Sequence, residues 1–424
     1  MKYFGTDGIR GIVGEKINAS LLKKIAKGIV CYYKKYKLKP VLLVGNDSRE
    51  SSYYILSILE SYLLPCGIQV EDIGVCSSPC LAFLTKKYVY PLGMMISASH
   101  NPNNYNGIKF FNANGEKVGD QFELEFEKFM DKKHFQITYQ FATHKNMEKL
   151  KNDYINELKK YVRFSFPCIF DCANGGTSEI CKQLFPKQTK INFKPNGKNI
   201  NLNAGSTHVE YLSALCVKEQ KIGFAFDGDG DRIIVVDKTG EILDGDKILY
   251  LLSKFYLNKK DVLVGTIYTN SALENCLKKK NEQLVRSKVG DKNIYNSMKE
   301  YNSILGGENN GHIILKTYFN TGDGVFVAIL IANLLSLTGR SLKYLLNDYF
   351  EYSQITENIK FEKTFIMPKE IKNFIDKNSN KDTRIIVRKS GTESILRLFV
   401  ENKNNKNALK IMKKLKNLIK NVQF

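Results

Sequence analysis

Apolar positions along the first hundred residues fall into two alternating rhythms. Leu21, Leu22, Ile25 and Ile29 recur at helical spacing, and PVLLVG (40–45) is a short apolar run typical of a buried strand. SSYYILSILESYLL (51–64) returns to helical spacing, and GMMISAS (93–99) reads as a further strand. Strands alternating with helices predict an α/β layered architecture. KNMEKLKNDYINELKKYV (145–162) is predicted to be a charged helix bridging into a second unit. That unit opens with CIFDCANGG (168–176), a strand running into a Gly-rich turn and helix, and closes with GFAF, DGDGDR and IIVVD. A third unit begins near LDGDKILYLLS and alternates again through VLVGTIY (262–268) and SILGGE (303–308). Its most apolar stretch, GVFVAILIANLLSL (324–337), is interrupted by Asn333 and too short to span a bilayer, so a buried helix is predicted. A smaller α+β unit follows residue 360, with RIIVR (384–388), LRLFVE (396–401) and a terminal helix. In that helix Leu409, Ile411, Met412, Leu415, Leu418 and Ile419 lie near helical spacing, with lysines outside.

Composition narrows the function classes. At roughly 150 residues per domain, 424 residues suggest about three domains. The opening MKYFGTDGIRG has no apolar core and is not expected to be a signal peptide. The nine cysteines show no metal-ligand spacing, and several sit in apolar runs, which points to free thiols in a reducing cytoplasm. A net charge of +21 raises nucleic acid as a partner, but the lysines are dispersed among asparagines. Attraction of small anionic substrates is the better reading, with neither nucleic acid nor membrane as partner.

The chemistry concentrates in loops. MMISASHNPNNYNGIKFF (94–111) ends an apolar run in a turn carrying Ser97, Ser99, His100, Asn101 and Pro102, then re-enters an apolar run containing Lys109. Such a turn presents a hydroxyl at a strand tip; a plain hairpin rich in turn-formers is the alternative. DGDGDR (227–232) crowds Asp227, Asp229 and Asp231 between two apolar strands, which is costly unless a cation neutralises them. Hard oxygen ligands favour Mg²⁺ over zinc, and an EF-hand would need Gly and Glu where Arg232 and Lys238 stand. A solvated acidic turn is the competing reading. GTDGIRG (5–11) sets Arg10 in a glycine-flanked turn, and RKSGTE (388–393) combines an arginine, hydroxyls and exposed backbone suited to a phosphate. GGENNGH (306–312) offers a carboxylate, amides and a histidine to a polyhydroxylated ligand.

Taken together, GTDGIRG, SASHNP with NGIKFF, DCANGG, GSTHVE (205–210), DGDGDR, KVGDK (288–292), GGENNGH and SGTE resemble the α-D-phosphohexomutase superfamily over essentially the whole chain. The bacterial phosphoglucosamine mutase branch matches best. The resemblance implies three related α/β domains, mixed-sheet and Rossmann-like, plus a C-terminal α+β domain around a central cleft. The corresponding divisions are 1–145, 146–240, 241–358 and 359–424. It implies that Ser99 carries a phosphoryl group and that one Mg²⁺ per chain is held by Ser99, Asp227, Asp229 and Asp231. Arg10, Arg232 and Lys109 would stabilise the transferring group, with Lys109 or His100 moving the proton. Glu308, Asn310 and His312 would bind sugar hydroxyls. Arg388, Ser390, Gly391, Thr392 and Arg397 would grip the non-reacting phosphate. The implied reaction interconverts glucosamine 6-phosphate and glucosamine 1-phosphate through a sugar bisphosphate, supplying UDP-sugar precursors of the cell wall. The alternatives are a phosphomannomutase/phosphoglucomutase of the same superfamily and a catalytically silent sugar-phosphate-binding protein; monomer and homodimer both stay open. Two departures stand out: Asn310 replaces the usual serine of Glu-x-Ser-Gly-His, and Ser394 replaces the proline expected after Glu393.

Overall fold

The computed structural model describes residues 1–133, 135–360, 367–389 and 395–421. The chain divides into two compact units, residues 1–269 with 281–346, and residues 270–280 with 347–424. The fold is mixed α/β, as the alternating pattern predicts, and no described helix is long and apolar enough to cross a membrane.

Three sheets build the first unit. The first runs Ile9–Ile12, Tyr105–Asn112, Leu92–Ile96, Val41–Asn46, Gln69–Val75, His144–Asn146 across its width. Its middle strands are parallel, while Tyr105–Asn112 returns antiparallel beside Leu92–Ile96 with Ile96 opposite Ile108 and Met95 opposite Lys109. The segment containing Ser99 is therefore a hairpin as well as a strand tip. Helices Ala19–Lys35 and Ser51–Leu63 bury Leu22, Ile25, Ile29, Ile55 and Leu59 against this sheet. Asn18 starts the former by accepting the Leu21 amide at 3.0 Å, satisfying one of the orphan donors of a helix start.

The second sheet runs Ile242–Leu243, Ile233–Val236, Ile222–Phe226, Cys168–Asp171, Thr189–Ile191. Its antiparallel pair, Ile222–Phe226 with Ile233–Val236, brackets the DGDGDR loop. The third sheet runs Gln283–Ser287, Val262–Thr266, Leu305–Gly307, Ile313–Leu315, and its last hairpin brackets Glu308–His312. The apolar run beginning at residue 324 is the buried helix Gly324–Thr338, started by Asp323, which accepts the Phe326 amide at 3.0 Å. Asn333, the polar break in that run, donates to the Tyr161 carbonyl at 2.7 Å and accepts the Arg163 amide at 2.9 Å. The charged stretch from residue 145 is α-helical over Lys151–Lys159, entered through a 3-10 turn at Glu148–Leu150; His144–Asn146 instead adds an edge strand to the first sheet through backbone pairing that its polar side chains do not signal.

The second unit is a three-stranded antiparallel sheet, Ser353–Lys360, Ile395–Asn402, Thr383–Lys389, covered by helices Lys369–Asn378 and Asn405–Asn421. The terminal helix buries Ala408, Met412, Leu415 and Ile419, a stripe at spacings of four, three and four. Leu409 lies off that stripe and is 54% exposed, so the apolar face is narrower than the sequence count suggests. Leu415→Ala should therefore cost about 2–5 kcal/mol, and Leu409→Ala no more than about 0.5 kcal/mol, in urea denaturation of the full chain. Equal losses would contradict this assignment of the helix face.

Candidate active site

The DGDGDR loop turns back on itself between its two strands, and two glycines make the turn possible. Gly230 has φ +72°, in the left-handed region that favours glycine. A β-carbon on Gly228 would meet the Ser99 carbonyl oxygen at 2.6 Å, so this glycine lets the two loops touch. The carboxylates of Asp227, Asp229 and Asp231 are all buried, with ligand oxygens within 4.8 Å of one another. Ser99 has φ +53°, and its hydroxyl donates to Asp227 Oδ2 at 2.6 Å. His100 Nδ1 lies 3.4 Å from the same hydroxyl.

Cations surround the triad. Lys109 lies on the returning strand of the Ser99 hairpin, where its Nζ sits 2.5 Å from Asp229 Oδ2, 3.4 Å from Asp231 Oδ2 and 3.6 Å from Asp7 Oδ2. Ser78 Oγ donates to Asp229 Oδ2 at 2.6 Å. Arg10 pairs with Asp7, and Arg232 Nε lies 4.0 Å from Asp231 Oδ1. Burial followed by Asp231 and Asp229 pushes the Asp227 carboxyl up to about 8. Burial opposes ionisation of Asp229 too, but the Lys109 ammonium and the Lys109 and Ser78 bonds outweigh it and hold that carboxyl well below its usual range. Burial, reinforced by Arg232 and Arg10, drives His100 down to about 3, leaving a neutral imidazole. Asp229 Oδ1 and Asp231 Oδ1 are buried with no hydrogen-bond partner. These hard oxygens, free to accept a cation, fit a divalent metal ion.

The Glu308–His312 loop docks directly onto the end of the aspartate loop. Ile233 N–H donates to the Gly311 carbonyl at 3.0 Å, and a β-carbon on Gly311 would strike the Ile233 carbonyl. Asn310 closes the loop itself: its Oδ1 accepts the His312 amide at 3.1 Å and its Nδ2 donates to Glu308 Oε2 at 3.1 Å. Glu308 Oε1 accepts the Gly290 amide at 2.9 Å. His312 is buried, with Nε2 3.5 Å from Asp291 Oδ2 and 3.9 Å from Asp231 Oδ2. In the second unit, Arg388 and Arg397 stand directly opposite one another on adjacent strands. Ser390, Gly391 and Thr392, which follow Arg388, lie outside the described residues.

Sequence reasoning overlooked several neighbours of this site. Lys117 pairs with Asp291, lies 2.9 Å from Asp7 Oδ1 and 3.6 Å from Asp231 Oδ2. Burial opposes its charge, but Asp291 and Asp231 raise its affinity for the proton above the usual lysine range. Its ammonium thereby neutralises the second acidic group, Asp231, Asp291 and His312. Asp7 and Asp291 lay inside the noted GTDGIRG and KVGDK motifs, whereas nothing local to Lys117 or Ser78 marked them.

Residues 1–137 match the phosphoglucomutase/phosphomannomutase α/β/α domain I, residues 244–352 match domain III, and residues 356–418 match the C-terminal domain. A phosphoglucosamine mutase of Bacillus subtilis is 37% identical over 427 residues, covering 95% of this chain and 94% of that protein. The chain belongs to the phosphoglucosamine mutase family. A phosphoglucosamine mutase of Aliarcobacter butzleri is 38% identical, with 98% of each chain covered. A phosphoglucomutase/phosphomannomutase family protein from Burkholderia thailandensis shares the fold at TM-score 0.82, 19% identity and 98% and 96% coverage of this and that chain. An Aspergillus fumigatus N-acetylphosphoglucosamine mutase, solved with GlcNAc-6P and magnesium, superimposes at TM-score 0.66, 17% identity and 98% and 95% coverage. For this phosphoglucosamine mutase family member, Asp229→Asn should weaken divalent-metal binding by at least about tenfold while the chain stays folded. Calorimetric titration of Mg²⁺ and Mn²⁺ checks this, and unchanged affinity would remove the triad as the metal centre.

Proposed function

We propose that this chain interconverts glucosamine 6-phosphate and glucosamine 1-phosphate in the cytoplasm, using a phosphoryl group carried on Ser99. The observation that carries the reading is the Ser99 hydroxyl at a hairpin tip, 2.6 Å from a buried carboxylate triad. The phosphoglucosamine mutases of Bacillus subtilis and Aliarcobacter butzleri, similar over nearly the whole chain, support it. On this reading the chain divides at 1–145, 146–240, 241–358 and 359–424, and each part carries one of the loops named above.

Asp227, Asp229, Asp231 and the Ser99 oxygen would hold one Mg²⁺, which supplies charge neutralisation at the phosphoryl group. The O–P bond at phosphoserine 99 breaks as the 1-hydroxyl of the hexosamine 6-phosphate forms a new one. The hydroxyl proton passes to the neutral imidazole of His100, whose Nδ1 lies 3.4 Å from Ser99 Oγ, and from there to the departing Ser99 oxygen, while Lys109 stays an ammonium beside Asp229. The bisphosphate then reverses in place, and its 6-phosphoryl group returns to Ser99, releasing the 1-phosphate. Arg10, Arg232 and Lys109 stabilise charge on the group in flight, since such transfer is mostly positioning and electrostatics. Glu308, Asn310 and His312 orient the sugar, while Arg388, Ser390, Gly391, Thr392 and Arg397 hold the phosphate that is not reacting. The product supplies UDP-sugar precursors of the cell wall.

Contacts that must serve the sugar in two orientations discriminate the C2 substituent only indirectly. Glucosamine 6-phosphate should be preferred over glucose 6-phosphate by roughly tenfold to a few hundredfold in kcat/KM. Equal or better turnover of mannose 6-phosphate would move the assignment to a phosphomannomutase. Ser99→Ala should lose nearly all turnover while remaining folded. Chelation should abolish activity, with Mg²⁺ restoring it better than Zn²⁺ or Ca²⁺; full activity in excess chelator would contradict the metal assignment. Asn310→Ser should retain activity, because a serine hydroxyl can still accept the His312 amide.

A further inference from the structure

Arg49 sits where the strand Val41–Asn46 passes into the helix Ser51–Leu63, and its side chain is wholly buried, as is that of Asp47. A guanidinium has five N–H donors and keeps its charge at any relevant pH, so burying it leaves donors stranded unless each finds an acceptor. Here all five do. Nε donates to Asp47 Oδ2 at 2.9 Å. Nη1 donates to the carbonyls of Pro102 and, at 2.9 Å, Tyr105. Nη2 donates to the carbonyls of Ser99 at 3.0 Å and Asn101 at 2.7 Å. Four of the five bonds thus end on the backbone of the turn that carries Ser99.

A second arm reaches the same turn from the carboxylate. Ser97 Oγ donates to Asp47 Oδ2 at 2.7 Å and accepts the Ser99 amide at 2.8 Å. The Ser99 peptide is therefore gripped at its N–H through Ser97 and Asp47, and at its carbonyl by Arg49. Between those two grips Ser99 adopts φ +53°, a conformation that a non-glycine residue keeps only when its surroundings impose it. That conformation aims Oγ at Asp227. A lysine has no planar fork and too few donors to replace the arginine.

We infer that Arg49, held by Asp47, is a positioning residue for phosphoryl transfer: it fixes the Ser99 backbone in its left-handed conformation. This rests on the reading of Ser99 as the phosphoryl carrier. Arg49 bonds to none of the residues proposed to bind sugar, so its loss should fall on the chemical step and leave substrate binding intact.

The experiment is steady-state kinetics of the full-length wild type, Arg49→Lys and Ser97→Ala with glucosamine 6-phosphate, alongside circular dichroism. Displacing a reacting atom by about 1 Å costs on the order of 100-fold, so Arg49→Lys should lower kcat by about that factor. KM should change by less than about threefold, the split expected when ground-state binding is untouched. Ser97→Ala, which cuts only the second arm, should lower kcat about tenfold at unchanged KM. An Arg49→Lys enzyme with wild-type kcat, or one impaired only in KM, would overturn the positioning role. Should Arg49→Lys fail to fold, Asp47→Asn, which removes the charge that holds the guanidinium while keeping the side chain's size, decides instead, and wild-type kcat in that variant would overturn it. Wild-type protein that turns over no hexose phosphate would overturn the functional reading itself, and this inference with it.

Discussion

Three carboxylates held within 4.8 Å of one another and away from water are the constraint to which the rest of the first unit answers. Like charges that close cannot all ionise without compensation. Compensation comes from other elements: Lys109 from the Ser99 hairpin, Arg10 from the first strand and Arg232 from the loop itself. Because the aspartates belong to the second sheet and Lys109 to the first, the charge balance also pins those sheets together. Lys117 extends the same logic to the third sheet, pairing Asp291 and Asp7. Removing Lys109 takes from Asp229 its nearest cation, and a buried charge left short of its partner costs more than the pair contributes when intact.

The loops that carry this chemistry were legible because each is contiguous. Three aspartates within five residues, or a Ser-His-Asn-Pro turn after an apolar strand, declare their polarity without reference to the fold. Lys117 could not be read that way, since its partner Asp291 is 174 residues distant and the residue itself sits in an ordinary polar turn. Arg49 was hidden for a similar reason: its acceptors are backbone carbonyls, and carbonyls leave no mark on a sequence. The edge strand His144–Asn146 escaped because pairing through the backbone requires no apolar alternation. Leu409 was misassigned to the buried face because several apolar residues near helical spacing describe a band wider than the face that packs.

Asn310 changes meaning once its bonds are known. On sequence it is a substitution within a sugar-binding motif; in the fold both ends of its amide are engaged within the loop. It orients Glu308 and fixes the turn. What the amide does in the fold is to hold the loop's own shape.

The central claim is that a phosphoryl group resides on Ser99 and passes between enzyme and sugar. The direct measurement is a chase. Protein labelled with ³²P by incubation with a labelled hexose bisphosphate is mixed with unlabelled glucosamine 6-phosphate, quenched at intervals, and the label located by peptide mapping and sugar-phosphate chromatography. The account predicts label on the peptide bearing Ser99 at the start, then in a sugar bisphosphate, then in hexosamine monophosphate. Label on any other residue, or label released only as inorganic phosphate, would contradict it.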